Sequence, residues 1–303
     1  HNYPAIIDLY TRIQKNQRCC MVLALASLRR ILINLWSISV QKFPEISIVV
    51  PTIGRKESLK QCIDSLEAQT FQNFEYILVT DEGPLSWCRN KGAKEAKGTI
   101  LTFIDDDVIC DPCWLENIHK TFESDPTIVG VSGPAYINAV SKQQRDLFRF
   151  KWIKAFYDRF FCEGKQHLPG HFLRSGSWTT GASEETCNYE GPVDFLEACN
   201  MSFRRDSFLD VNGFDEDYKG IGDWSEPDLS FKLRKRGGRL WFSPGARLEH
   251  RPSRSGAYGK RSVQSGIRLH NYKLFSKRWI RPYWKHTLYK LFIEGYYAFK
   301  SFR

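Results

Sequence analysis

From Glu45 onward, short β-branched apolar runs alternate with stretches whose apolar residues recur at helical spacing. Ile46 to Val50 forms the first run and is closed by Pro51-Thr-Ile-Gly54. Lys56 to Gln69 then carries Leu59, Ile63 and Leu66 three and four residues apart, the period of a helix with one apolar face. Tyr76 to Val79 predicts a second strand, Leu85 to Lys97 a helix ended by Gly98, and Ile100 to Ile104 a third strand. Pro112 opens a helix through Phe122, and Ile128 to Val131 predicts a fourth strand. This alternation predicts an α/β domain, a mostly parallel sheet sandwiched by helices. Ligands of such sheets bind beyond the carboxyl ends of the strands. Three polar turns fall there: Thr52 to Arg55, Asp81 to Gly83, and Asp105 to Asp107.

Past Gly133 the alternation breaks. Asp146 to Phe161 predicts a basic, aromatic amphipathic helix, and Cys162 to Pro192 has no clear period. A loop that long in a compact domain is usually functional or mobile. Phe195 to Phe203 predicts a strand, Arg205 to Val211 a short helix, and Gly213-Phe-Asp215 a turn. Pro227 to Arg236 predicts another helix, with Glu226 and Asp228 at its N-terminus. Leu240 to Phe242 and Ala246 to Glu249 are short strands, the second followed by His250. From Trp279 to the end, aromatic residues interleave with Lys, Arg and His. That pattern suits a membrane interface, or a helix packing its aromatics on the domain.

The third strand runs straight into Asp105, Asp106 and Asp107. Three adjacent carboxylates repel one another, and an apolar core cannot hold them ionised without counter-charge. A divalent cation such as Mg²⁺ or Mn²⁺ favours oxygen ligands of this kind, and an Asp-rich surface turn is the alternative reading. No G-x-G-x-x-G or Walker sequence occurs, so a nucleotide bound here is held through metal and side chains.

The 303 residues carry 44 Lys and Arg against 34 Asp and Glu, a net charge of +10. Such a balance favours nucleotide phosphates, an anionic membrane surface or nucleic acid. No RNA-binding signature accompanies it, so no nucleic-acid partner is expected. The nine cysteines have no even spacing, and Cys110-x-x-Cys113 lacks the second half of a zinc site. They read as reduced thiols of a cytoplasmic compartment. Val22 to Val40 is interrupted by Arg29, Arg30 and Asn34, short of the ~20 apolar residues a span requires. An amphipathic or interfacial helix is expected there. The chain begins at His1, which reads as a fragment or a processed form, with Met21 a candidate start.

With these turns in hand, Glu45-Ile-Ser-Ile-Val-Val-Pro-Thr-Ile-Gly-Arg55 resembles the opening of family 2 glycosyltransferases. The similarity continues in Leu78-Val-Thr-Asp-Glu-Gly83, Arg89-Asn-Lys-Gly92 and Phe103-Ile-Asp-Asp-Asp107, the last matching the family's DxD. It persists in Ala198-Cys-Asn-Met-Ser-Phe-Arg-Arg205, Asn212-Gly-Phe-Asp-Glu216 and Ser225-Glu-Pro-Asp-Leu229. About Ile46 to His250 is covered. The resemblance implies a GT-A fold with a Rossmann-like sheet, a nucleotide-sugar donor (UDP being the family's default), and inversion at the anomeric carbon of what is expected to be a hexose.

By position, Thr52 and Asp81 would then contact the nucleoside, Asp81 on its base, with Arg89 lining the same pocket. Asp105 and Asp107 would hold Mn²⁺ or Mg²⁺ on the diphosphate, Asp105 also belonging to the donor site. His250 resembles a further metal ligand, although a lone His after a strand also has a plain structural reading. The family often carries Glu-Asp-x-Asp where this chain has Ser225-Glu-Pro-Asp228. Glu226 therefore stands at the general-base position, with Asp228 as the other candidate. Both also fit an acidic first turn with Pro227 at its start. The second turn departs from the family too, reading Asp-Glu-Gly-Pro.

The organisation expected is an N-terminal interfacial extension (1–44), a nucleotide-sugar half (45–135), an acceptor and catalytic half (136–255) and a basic aromatic tail (256–303). The acceptor expected is a glycan or lipid-linked molecule, with peripheral contact at the cytoplasmic membrane face through the tail. A nucleotidyltransferase on a similar sheet is one alternative, but Pro51-Thr-Ile-Gly-Arg55 is too short for the basic glycine loop such enzymes usually carry. A non-catalytic membrane-associated scaffold is the other. Asp106, as the spacer of the triplet, is expected to tolerate Ala far better than either neighbour.

Overall fold

The computed structural model describes residues 43–80, 83–137, 151–183, 187–252 and 265–301. Asp81, Cys19-Cys20, the Val22 to Val40 segment and the start of the predicted Asp146 helix lie outside them. From Pro44 to Arg303 the chain is one compact unit. It begins with β1 (Ile46–Pro51), α1 (Lys56–Glu67), β2 (Phe74–Val79), α2 (Leu85–Glu95) and β3 (Ile100–Phe103). β4 (Val108–Cys110), α3 (Trp114–Ser124), β5 (Ile128–Ser132) and β6 (Ala135–Ile137) follow. Then come α4 (Lys151–Phe160), β7 (Gly191–Pro192), β8 (Met201–Arg204), α5 (Arg205–Asp210) and α6 (Ser225–Lys235). β9 (Arg239–Phe242), β10 (Leu248–His250), α7 (Ser265–Trp279) and α8 (Trp284–Ser301) complete it.

The main sheet runs β2-β1-β3-β8-β5-β9-β7. β1 pairs in parallel with β2 and β3, and β5 with β9, while β8 and β7 pair antiparallel with their neighbours. A strand covered on both faces needs a largely apolar sequence, which Ile46 to Val50 supplies; its one polar residue, Ser47, donates to Glu75 at 2.7 Å. Ile46, Ile48 and Val50 face the core under α1 and α3, with Cys62, Leu66, Trp114 and Phe122. Val49 faces the other layer, with Leu101 and Phe103 of β3 and Phe208, Leu229 and Leu233 of α5 and α6. A third, aromatic core gathers Phe161, Trp224, Tyr272, Phe275, Tyr289 and Tyr297, and ties α7 and α8 to the domain. Tyr289, Ile293 and Tyr297 thus face inward, as the packing reading of the tail requires.

The three-residue strands β4 and β6 were not foreseen. They flank β10 in a second sheet, where His250 stands opposite Val108 and Ile137. This register sets β10 beside the turn that holds the triplet, and the Arg251 N–H donates to the Asp107 carbonyl at 2.8 Å. The strand expected from Phe195 starts only at Met201. Before it, the Asn200 N–H turns back to the Glu197 carbonyl, and Val193 bonds to Leu240.

That turn aims the buried Asn200 side chain between the two sheets. Its amide donates to the carbonyls of Ala246 (2.8 Å) and Pro134 (3.3 Å) and accepts from the Trp114 indole at 3.0 Å. Asn200→Ala leaves these groups unpaired and is expected to lower the unfolding free energy by about 2 kcal/mol in urea titration. A loss below about 0.5 kcal/mol would show that the stitch is dispensable.

Candidate active site

Gly54, with φ of 80°, turns the chain after β1 and sends Arg55 across the end of the sheet. Its guanidinium grips both oxygens of Asp106, and Nη1 also reaches Asp107 Oδ2 at 2.9 Å. Thr52 Oγ1 donates to Asp106 Oδ2 at 2.5 Å. Asp106 is 2% exposed, so the middle carboxylate points inward and is fully committed. Asp106 also borders the cavity, but its oxygens are taken by Arg55 and Thr52, which leaves Asp105 and Asp107 as the pair able to meet a cation.

His250 Nε2 lies 3.2 Å from Asp107 Oδ1, and one ligand atom from each of Asp105, Asp107 and His250 falls within 4.8 Å of the others. On the opposite side Arg89, 1% exposed, donates through Nη1 to Glu226 Oε1 at 2.7 Å and through Nη2 to the Ala198 carbonyl at 3.0 Å. The same Nη2 stands 3.5 Å from Asp105 Oδ1. Arg89 therefore bridges Asp105 and Glu226. Four carboxylates meet two guanidiniums here, so negative charge outnumbers positive even with His250 protonated.

The titration directions follow from this crowding. Burial pushes the Glu226 carboxyl above the ordinary glutamate value, with Arg89 pulling back. Asp105 is raised by burial against Arg89, with Asp107 adding to the rise. Burial lowers His250, but Cys199 and Asp107 outweigh it and its pKa is raised. Cys62, buried beneath the triplet, is pushed up to about 12 by burial and then by the triplet's charge, which keeps it a thiol. Cys110 is buried in the core and Cys113 exposed, and among the described residues only Asp105, Asp107 and His250 form a metal-holding group.

Thr52, Arg89, Asp105, Asp107, Glu226 and His250 all line one cavity of about 900 Å³. Its far wall is built from α4, α7 and α8, including Lys154, Tyr157, Arg268 and Tyr296. Glu226 is aimed by local strain: Trp224 adopts φ of 79° just ahead of α6. Its indole is clamped by Trp178, Tyr272 and Phe275 at ring separations of 4.6, 5.1 and 5.1 Å.

Asp228 is not brought to the cavity. It is buried, accepting from Trp279 Nε1 at 2.7 Å and Tyr218 OH at 3.1 Å, with Lys232 at 3.1 Å and Arg278 at 3.4 Å. It anchors α6 to α7, two residues and about 200° round the helix from Glu226. Arg89 and Thr52 both line the cavity: Arg89 Nη1 and Nη2 face Glu226, Ala198 and Asp105 while its buried Nε has no partner, and the Thr52 hydroxyl donates to Asp106. The structural duty of Arg55 and Asp106 escaped sequence reasoning, although Arg55 stood in the first strand-end turn.

A model of glycosyl transferase family 2 matches residues 47–86 and 84–208. The chain belongs to glycosyl transferase family 2. Its curated relatives differ widely in length. The glucosyl-dolichyl phosphate glucuronosyltransferase of Haloferax volcanii is 26% identical over 242 residues, 68% of this chain and 69% of that protein. The O-antigen biosynthesis protein RfbC of Myxococcus xanthus is 26% identical over 251 residues, 70% of this chain but only 18% of its own length. Among solved structures, a mannosyltransferase from Pyrobaculum calidifontis, in complex with GDP-Man and Mn²⁺, aligns at a TM-score of 0.52 and 16% identity. That alignment covers 84% of this chain and 70% of that one. The glycosyltransferase thus has the GT-A fold, and membership of this family replaces the nucleotidyltransferase reading.

The expectation that Asp106 tolerates Ala is overturned by its burial against Arg55 and Thr52. Asp106→Ala removes the main partner of the partly buried Arg55, leaving it Asp107 alone, and is expected to cost about 2 kcal/mol in urea titration, against under about 1 kcal/mol for Asp105→Ala. The reverse order would show that Asp106 is the exposed member. Asp228→Ala, which removes the counter-charge of Arg278 and Lys232, should cost about 3 kcal/mol.

Proposed function

We propose that this glycosyltransferase moves a hexose, with inversion, from a nucleoside-diphosphate sugar to a hydroxyl of a lipid-linked glycan, with Glu226 as general base. The observation that carries the reading is the single buried guanidinium, Arg89, spanning Asp105 and Glu226 in one cavity. It holds the carboxylate that would take a proton next to the pair that would meet the diphosphate.

Glu226 accepts the proton of the acceptor hydroxyl as that oxygen forms its bond to the anomeric carbon. The bond from that carbon to the diphosphate breaks, and the diphosphate leaves with the electron pair. Arg89 opposes the effect of burial on Glu226, favouring its ionised form, and fixes its direction. Asp105, Asp107 and His250 fit a divalent cation by their spacing and by the cluster's shortage of positive charge. An imidazole beside two carboxylates suits Mn²⁺ better than Mg²⁺. Bound there, the ion would supply positive charge to the leaving diphosphate. Thr52 and Asp81 would flank the nucleoside, with UDP the first donor to try. Asp228 takes no part in the chemistry.

The lipid-linked acceptor is supported by the Haloferax relative, whose name places its acceptor sugar on dolichyl phosphate, and by the aromatic far wall of the cavity. Such an acceptor puts the enzyme at a membrane face. Among the described residues no helix is long and apolar enough to cross a membrane.

A panel of nucleotide sugars assayed with Mn²⁺ tests the reading. Turnover with one donor, abolished by chelation, is expected, whereas no hydrolysis or transfer from any donor would favour the scaffold. Glu226→Gln should keep donor affinity within about threefold and lose transfer by about 10²-fold or more. Normal turnover in that variant would remove Glu226 from the mechanism. Because burial raises Glu226, the ionised base is lost on acidification sooner than for an ordinary glutamate. The rate at saturating donor and metal should therefore rise with pH through a midpoint above 4.5. A rate flat down to pH 4.5 would contradict this.

A further inference from the structure

Two helices that wall the cavity also carry an apolar stripe on their outward side. On α8, Trp284, Leu288 and Leu291 recur four and three residues apart, and Trp284 and Leu291 are 56% and 60% exposed. On α4, Trp152, Phe156 and Phe160 recur every four residues, with Phe156 56% exposed. The stripes join: Phe156 stacks on Phe160 at 5.2 Å between ring centres, and Phe160 meets Trp284 at 6.1 Å. An exposed apolar surface of this continuity marks a site of contact.

The charges around it are positive. Lys285 Nζ sits 5.2 Å over the Phe160 ring and 5.6 Å over Trp284, so its ammonium lies within the stripe itself. Arg159 and Lys290 are exposed on the same two helices, and Arg281 is exposed just ahead of α8. Of the acids there, Glu294 lies 3.6 Å from Lys273, and Asp158 faces the cavity. Aromatic and leucine side chains ringed by cations match the headgroup layer of an anionic bilayer, where rings sit at the acyl boundary and ammonium groups meet lipid phosphates.

The patch is also continuous with the cavity. Tyr157 and Asp158 follow Phe156 on α4, and Tyr289 and Phe292 each follow a stripe leucine on α8, about 100° round the helix. These four residues line the cavity. We propose that the α4–α8 face docks on an anionic membrane surface, which sets the acceptor end of the cavity against the lipid. The inference rests on the lipid-linked acceptor proposed above and names the surface that would deliver it. The inward-facing tyrosines of α8 hold the surface in shape, and its outward stripe and α4 make the contact.

Flotation of the full chain with vesicles tests this. Wild-type protein should float with phosphatidylcholine vesicles containing about one-quarter phosphatidylglycerol, and bind pure phosphatidylcholine several-fold less. Phe156→Ser, Trp284→Ser and Leu291→Ser combined should reduce flotation at least tenfold while leaving Mn²⁺-dependent donor hydrolysis within about twofold, since none of the three lines the cavity. Equal flotation of the triple variant would overturn the proposal. So would a wild-type dimer in size-exclusion chromatography that the triple variant abolishes, because the face would then belong to a second copy. Loss of flotation in the triple variant with no hydrolysis even by wild type would uphold the docking surface and overturn the transfer reaction instead.

Discussion

The site depends on a division of labour among carboxylates that two arginines impose, Arg89 buried and Arg55 partly so. Three consecutive aspartates at the end of β3 could not all face a cavity without severe repulsion. Arg55, turned back by Gly54, takes Asp106 out of that competition by a forked pair reinforced from Thr52. Asp105 and Asp107 are thereby left as the pair able to meet a cation, where the β4–β10 register delivers His250. Arg89 does the matching task for Glu226. Removing either guanidinium would leave like charges facing one another in a poorly solvated space.

This arrangement explains why α6 begins in a strained conformation. Trp224 holds a left-handed backbone because an aromatic cage surrounds its ring, and the helix then starts with Glu226 toward Arg89 and Asp228 toward α7. The same cage belongs to the core that fixes α7 and α8, so the C-terminal helices help to aim the base as well as to wall the acceptor end. A tail that looked like an appendage in sequence is part of the site's support.

The parallel half of the fold was legible because its elements are long and strictly patterned. β1, α1, β2, α2 and β3 fall within a few residues of where periodicity places them, and the two strand-end turns that are described meet as expected. What escaped was set by short or three-dimensional signals. β4 and β6 have three residues each, too few to show a period, yet their pairing with β10 positions His250. The apolar stretch from Phe195 resembles a strand but spends its backbone on turns before Met201. The triplet in sequence gives no hint of which carboxylate is inward, because that choice is made by Arg55, fifty-one residues away from Asp106 along the chain. Glu226 and Asp228 were indistinguishable as an acidic helix start until the partners of each were visible.

The central claim is that Asp105, Asp107 and His250 hold one divalent ion beside the Arg89–Glu226 pair. Titrating Mn²⁺ into the protein and following free Mn²⁺ by electron paramagnetic resonance tests it most directly. The account predicts one bound ion per chain, lost in Asp107→Asn and in His250→Ala and retained in Asp228→Asn. Undiminished Mn²⁺ binding by both Asp107→Asn and His250→Ala would contradict it.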